Sequence, residues 1–215
     1  AILAKCIKKN PTKLITGNTL MSDEERCGWV SSDQIYMDYH DTEWGVPEYD
    51  SRTLWEKLIL DGFQAGLSWI TILKKRDNFR TAFANFDPNI VANWGEKEVL
   101  TLLQNKGIIR HRGKIEATIT NARAWQRIEA NVGFDKFLWN YVGGKPQMNA
   151  WKTLDEIPTQ TPLSVQISND LKKVGFKFCG PTIVYAFMQA VGIVNDHLLN
   201  CPCHDTVSKE VNWPK

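Results

Sequence analysis

Two cysteines and two histidines stand in short fragments near opposite ends of the chain, Cys27 and His40 in CGWVSSDQIYMDYH and His197 and Cys201 in HLLNC. Two thiols and two imidazoles form a closed tetrahedral donor set suited to one structural zinc ion, which would clasp the chain's two ends together. The four-residue interval from His197 to Cys201 predicts a helix that projects both donors from one face. Cys203 and His204, in CPCH, are rival donors that spacing does not exclude. Each residue also has a plain alternative: a buried cysteine acts as a small hydrophobe, and an isolated histidine is commonly a satisfied polar side chain. The wide separation matches no compact zinc-finger pattern. Five cysteines, odd in number and mostly isolated, argue against a disulfide framework and for a reducing compartment.

A second constellation is KGIIRHRGKI, in which Gly107 and Gly113 bracket a turn that concentrates Arg110, His111, Arg112 and Lys114. A helix–hairpin–helix reads this way: glycines let a backbone approach a phosphate, and exposed amides at the next helix's N-terminus attract its charge. A solvated charged turn between core helices carries the same residues. A third lies in ILDGFQAGLSWITILKK, where Asp61, Phe63, Gln64, Leu67 and Trp69 gather around Gly62 and Gly66 in an expected loop between helices. An aromatic face can stack on a flat base, a carboxylate can accept from an exocyclic amine, and Leu67 can fill the gap left by an extruded nucleotide. The competing account is a buried aromatic core with a helix-capping acid. Trp29, Tyr36, Tyr39 and Trp44 flank the zinc donors and could complete the same pocket.

Helices must position these groups. Asp50 or Ser51 can cap a helix with the apolar stripe Leu54, Trp55, Leu58 and Ile59, ending near Gly62. A second stripe runs from Trp69 to Phe83; Asp87 and Pro88 then open a helix ending near Gly95. Val99, Leu102 and Leu103 mark a helix that stops at Gly107, and Ile115 to Trp125 one that starts after Gly113. Phe134 to Tyr141, Pro162 to Leu171 and Thr182 to Ala190 complete the set. Period-two alternation and internal repeats are absent, so the expected class is all-α. The 215 residues are 43% hydrophobic with nine tryptophans, ample for a core, and no apolar run approaches a membrane span. A net charge of +2 is too small to diagnose a polyanion partner, so that argument rests on local clustering. Met21 reads as a natural start, which makes residues 1–20 an amino-terminal extension outside the fold, residues 21–205 the domain, with the hairpin near 104–118, and residues 206–215 a tail.

ERCGWV, YHDTEWGVP, QAGLSWITILKKR, GIIRHRGKI and GFKFCGPTIVYAFMQAVGIVNDH occur in this order. From Arg26 to Cys201 the chain closely resembles the bacterial 3-methyladenine DNA glycosylase I family, a zinc-containing branch of the helix–hairpin–helix DNA glycosylases. The resemblance implies structural zinc at Cys27, His40, His197 and Cys201. It also implies a base pocket lined by Tyr36, Tyr39, Trp69 and Asp61, with Trp29 and Trp44 close by. One departure concerns the acid, since the family usually carries Glu where this chain has Asp61, one methylene shorter, which bears on affinity and rate. The implied activity is monofunctional base excision, in which 3-methyladenine is released from alkylated double-stranded DNA and an abasic site is left uncut. Gly66, Leu67, Gly107, Arg110, Arg112, Gly113 and Lys114 are the expected DNA contacts. A cytoplasmic monomer without a membrane partner is expected. The rival functions are a zinc-stapled module that binds alkylated DNA without cutting it and a zinc hydrolase of another substrate, which would need an open metal position.

Overall fold

The computed structural model describes residues 14–16, 19–21 and 26–209. The chain forms two compact units, one from Ala1–Pro47, Lys145–Thr159 and Met188–Lys215, the other from Glu48–Gly144 and Gln160–Phe187. The architecture is mostly helical, as expected.

In the first unit β1 (Leu14–Thr16) pairs antiparallel with β2 (Thr19–Met21), at the end of the segment expected to be an extension and reaching Met21 of the expected domain. Helix α1 (Gln34–Thr42) buries Tyr36, Tyr39 and His40 on one face, as positions i, i+3 and i+4 must.

The second unit begins with α2 (Ser51–Gln64), capped by Asp50, whose carboxylate accepts from Thr53 N at 2.7 Å. It runs two residues past the expected stop at Gly62, so Asp61 and Phe63 lie on a helix and not in a loop. The stripe expected as one helix after Trp69 is broken into α3 (Trp69–Leu73) and α4 (Arg76–Ala82). Asp87 and Pro88 open α5 (Pro88–Val91), which ends a turn earlier than expected because Gly95 instead starts α6 (Glu96–Gln104), with Glu98 accepting from its amide at 2.9 Å. Next come α7 (Arg112–Glu129) and α8 (Phe134–Trp139). The long α7 is the spine, packed against α2, α5, α6 and α8, with Ile115, Ala122 and Ala124 wholly buried.

A two-residue strand β3 (Gln147–Met148) lies in the first unit, followed by α9 (Pro162–Lys173), whose cap is Thr161, and α10 (Pro181–Ala190). Strand β4 (Val194–Asn195) pairs parallel with β3, in the register Gln147 to Val194. Bridges this short carry no alternating signature, which is why the sequence pattern shows none. Helix α11 (Pro202–Lys209) ends the described chain and includes the start of the expected tail; residues 1–13, 17–18 and 210–215 of the expected extension and tail lie outside the described residues. No helix among the described residues is long and apolar enough to cross a membrane.

Candidate metal centre and base-recognition residues

Cys27, His40, His197 and Cys201 converge in the first unit, all buried, with every donor atom within 4.8 Å of the others. Cys27 Sγ and Cys201 Sγ are each 3.6 Å from His197 Nδ1, and Cys201 Sγ is 3.6 Å from His40 Nε2. Zinc–sulfur and zinc–nitrogen bonds of about 2.3 and 2.05 Å at the tetrahedral angle require sulfur–nitrogen separations of about 3.6 Å. The cluster therefore has the dimensions of one tetrahedral ion.

The route to this geometry differs from the one the spacing predicts. His197 and Cys201 are not on a helix: they sit in an extended segment and turn between β4 and α11. That segment is tied down by side-chain and backbone polar contacts. Asp196 accepts from Asn149 Nδ2 at 2.6 Å, Trp151 Nε1 at 2.8 Å and Gln189 Nε2 at 2.7 Å. Leu199 N donates to Trp151 O at 2.9 Å, and Cys201 N to Leu198 O at 2.8 Å.

A second layer orients the donors. His40 Nδ1 is 2.7 Å from Asp41 Oδ1, which leaves Nε2 to face the cluster, and His197 Nε2 is 2.9 Å from Trp44 O, which leaves Nδ1 to do the same. Asp41 is held by Arg26, whose Nη2 donates at 2.7 Å. Burial pushes the Asp41 carboxyl up, but hydrogen bonds from His40 and Arg26 outweigh it and hold the pKa below the ordinary value. Leu198 N points at Cys27 Sγ from 3.4 Å. Gly45 makes room: at φ +84° it has no side chain, and a Cβ there would lie 2.9 Å from His197 Nε2. Gly192, at φ +70°, is tighter still, since a Cβ would meet Pro47 N at 2.5 Å.

Of the rival donors, Cys203 belongs to an overlapping group with His40 and Asp41, while His204 turns its Nε2 to Asn149 O at 2.9 Å. Trp29 and Trp44 wrap the imidazoles: Trp44 meets His197 edge-on at 4.6 Å, and Trp29 meets Trp44 at 4.9 Å and His40 at 5.3 Å. Tyr36 packs on Trp29 at 5.1 Å, and burial pushes its phenol up to about 12, so it remains a donor at neutral pH. Tyr39 is 3% exposed on the same face of α1.

In the second unit, Asp61 is buried on α2 and Trp69 opens α3. Asp61 Oδ1 accepts from Lys57 Nζ at 3.1 Å, while Asp61 Oδ2 is buried with no hydrogen-bond partner. Burial raises the Asp61 pKa, against the pull of Lys57. The same Lys57 ammonium lies 3.4 Å from the centroid of the Trp69 ring. Lys57 was not among the residues singled out from sequence; the available signal was its place one helical turn before Asp61. Gly66 is exposed and Leu67 half-buried in the link between α2 and α3.

The segment expected to form the hairpin is α6, a link through 105–111, and α7. Gly107 lies in the link, but Gly113 is inside the first turn of α7, whose N-cap His111 accepts from Lys114 N at 3.2 Å. Arg110 is exposed. Arg112 is exposed and paired with Glu96 and Glu116, both at 3.0 Å. Lys114 does not join them. Its ammonium is turned inward onto Phe63 O at 2.8 Å and Ala65 O at 2.7 Å, where it caps the last carbonyls of α2. Phe178, also absent from the sequence-based candidates, meets His111 edge-on at 6.1 Å with φ +53° and 38% exposure.

The methyladenine glycosylase family model matches residues 29–204. The DNA-3-methyladenine glycosylase 1 of Escherichia coli K12 is 56% identical over 181 residues, covering 84% of this chain and 97% of that protein. A crystal structure of a 3-methyladenine DNA glycosylase I superposes with a TM-score of 0.82 at 58% identity, over 83% of this chain and 99% of the other. A variant of a 3-methyladenine DNA glycosylase I in complex with 3-methyladenine superposes at 0.80 with 40% identity, over 83% and 96%.

Proposed function

This chain belongs to the methyladenine glycosylase family, and from that membership we infer that it is a DNA-3-methyladenine glycosylase I that removes 3-methyladenine from DNA. The observation that carries the reading to particular atoms is Asp61 Oδ2, a buried carboxylate oxygen without a partner on the helix that leads to Trp69. Leaving such an acceptor unpaired costs on the order of 1–3 kcal/mol, more for a charge, so it is retained where a ligand completes it.

Methylation at N3 gives adenine a formal positive charge, which makes it a good leaving group. The protein need not protonate it; it must extrude it and hold it. Trp69 stacks on the base and Asp61 accepts from its exocyclic amine. Tyr36 and Tyr39 are assigned to the base as well, with Trp29 and Trp44 supporting them. The C–N bond breaks through an oxocarbenium-like sugar, water adds to the anomeric carbon, and an abasic site remains, uncut. Normal adenine is neutral and keeps its bond even when extruded. Gly66, Leu67, Gly107, Gly113 and the exposed Arg110 and Arg112 are assigned to the DNA, with Leu67 filling the gap; Lys114 serves the carboxyl end of α2 instead.

We assign zinc to the Cys27, His40, His197 and Cys201 cluster because two thiolates and two imidazoles at these separations suit it. Four protein donors leave no open position, so the ion supplies a structural cross-link. The protein is read as a cytoplasmic monomer acting on double-stranded alkylated DNA.

The test is release of 3-methyladenine from methylated duplex DNA, resolved by chromatography, for the parent, Asp61→Glu and Trp69→Ala. The parent and Asp61→Glu release it, and Trp69→Ala is slowed by about tenfold or more. Release by neither the parent nor Asp61→Glu, with the metal bound and the fold intact, overturns catalysis in favour of a DNA-binding module.

A further inference from the structure

Lys57 stands on α2 one turn before Asp61, with a side chain only 14% exposed. Its ammonium makes two contacts at once, 3.1 Å to Asp61 Oδ1 and 3.4 Å to the Trp69 ring centroid. A carboxylate and an aromatic face are the two features that attract a cationic purine, and here the protein's own cation engages both. The buried Oδ2 of Asp61 remains open, so the carboxylate has capacity for a further donor.

We propose that Lys57 is a tethered competitor for the base-recognition residues, which yields to the cationic lesion and returns to displace the neutral product. This rests on the reading of Asp61 and Trp69 as base-contacting residues. When the C–N bond breaks, its electron pair stays with the base and cancels the positive charge, while water gives hydroxide to the sugar and a proton to solvent. The lesion therefore arrives as a cation, able to replace the ammonium at the carboxylate and over the ring. The product leaves without the charge that won that exchange. Lysine suits the task because its ammonium is a compact charge on a flexible four-carbon stem, and the side chain can swing aside without disturbing the helix. An unmethylated adenine, neutral throughout, faces the same competitor. Lys57 thus adds to discrimination at entry and hastens release at exit.

The experiment uses full-length, metal-loaded protein and titration calorimetry with free 3-methyladenine and free adenine, comparing the parent with Lys57→Met and Lys57→Arg. Methionine keeps an unbranched stem of similar reach and removes the charge. Lys57→Met is expected to bind 3-methyladenine about tenfold more tightly, the scale of a lost cation–π and ion-pair competitor, to bind adenine more tightly as well, and to show stronger product inhibition in turnover. Lys57→Arg keeps the charge and can both stack on the ring and fork onto the carboxylate, so it is expected to bind neither base more tightly than the parent. Unchanged or weaker binding in Lys57→Met, with a parent that binds, overturns the proposal alone and makes Lys57 a strut for Asp61. Failure of all three proteins to bind either base, with melting temperatures intact, overturns the base-site reading and the proposal with it.

Discussion

The imidazoles of the candidate metal cluster and the Asp61 carboxylate are all buried, yet their second partners differ, although the Trp29 indole Nε1 beside the imidazoles is itself buried without a partner. Around the cluster each imidazole has a second partner for its other nitrogen, Asp41 for His40 and the Trp44 carbonyl for His197, and Asp41 in turn has Arg26. Around Asp61 one oxygen is paired with Lys57 and the other is left bare. A saturated network has a single arrangement and specifies structure. A network short of one donor is completed only from outside, which is what a recognition site needs. On the proposed reading, the contrast separates residues that hold the fold from residues that take up a ligand, even though all of them are buried.

The comparison breaks most visibly at the cluster. Cys201→Ser should lose the metal and destabilise the protein by more than about 4 kcal/mol, read as metal stoichiometry and chemical denaturation; retained stoichiometry and stability would remove the cluster from its structural role. A smaller change of opposite sign is expected at Asp61. Its folded pKa is raised, so ionising it at pH 7 costs the folded state, and that cost fades as pH falls through the folded pKa towards the ordinary 3.8. Asp61→Asn should therefore be more stable than the parent at pH 7, by about 1 kcal/mol, with the gap closing in acid, while base release falls. Equal melting curves at both pH values would show that the carboxylate is already satisfied. The smallest effect is at the surface, where Arg110→Ala should weaken binding to duplex DNA of any sequence and lower the salt slope by about one; an unchanged slope would take Arg110 off the phosphates.

Much of the helical frame is legible in capping residues alone. Thr161 with Pro162, Asp87 with Pro88, and Gly192 after α10 each mark a boundary that the backbone obeys. The four residues of the candidate metal cluster were also legible, but for a partly mistaken reason: the four-residue interval pointed to a helix, whereas β4 and the Asp196 contacts place His197 just after a strand and Cys201 in the turn that follows. Interval arguments assume an element, and a two-residue bridge leaves no periodic trace from which to choose one. Lys114 shows a second limit. A lysine in a basic run reads as a solvated cation, and only the path of α2 reveals two carbonyls within its reach. Lys57 was hidden for the converse reason, because on an amphipathic helix a lysine four residues before an acid is ordinarily a surface pair.

Cys27 and His197 are 170 residues apart, and His40 and Cys201 are 161 apart, yet each pair flanks one ion site. During synthesis the amino-terminal half of the clasp leaves the ribosome first and must wait for the other half. At about 5–20 residues per second that wait lasts roughly 10–30 seconds. Through that interval Cys27 and His40 have only half a coordination sphere, while the intervening helices are free to fold locally. Closure of the clasp is thus a late event in the life of the nascent chain, and on the proposed assignment metal uptake would report that the last donors have emerged.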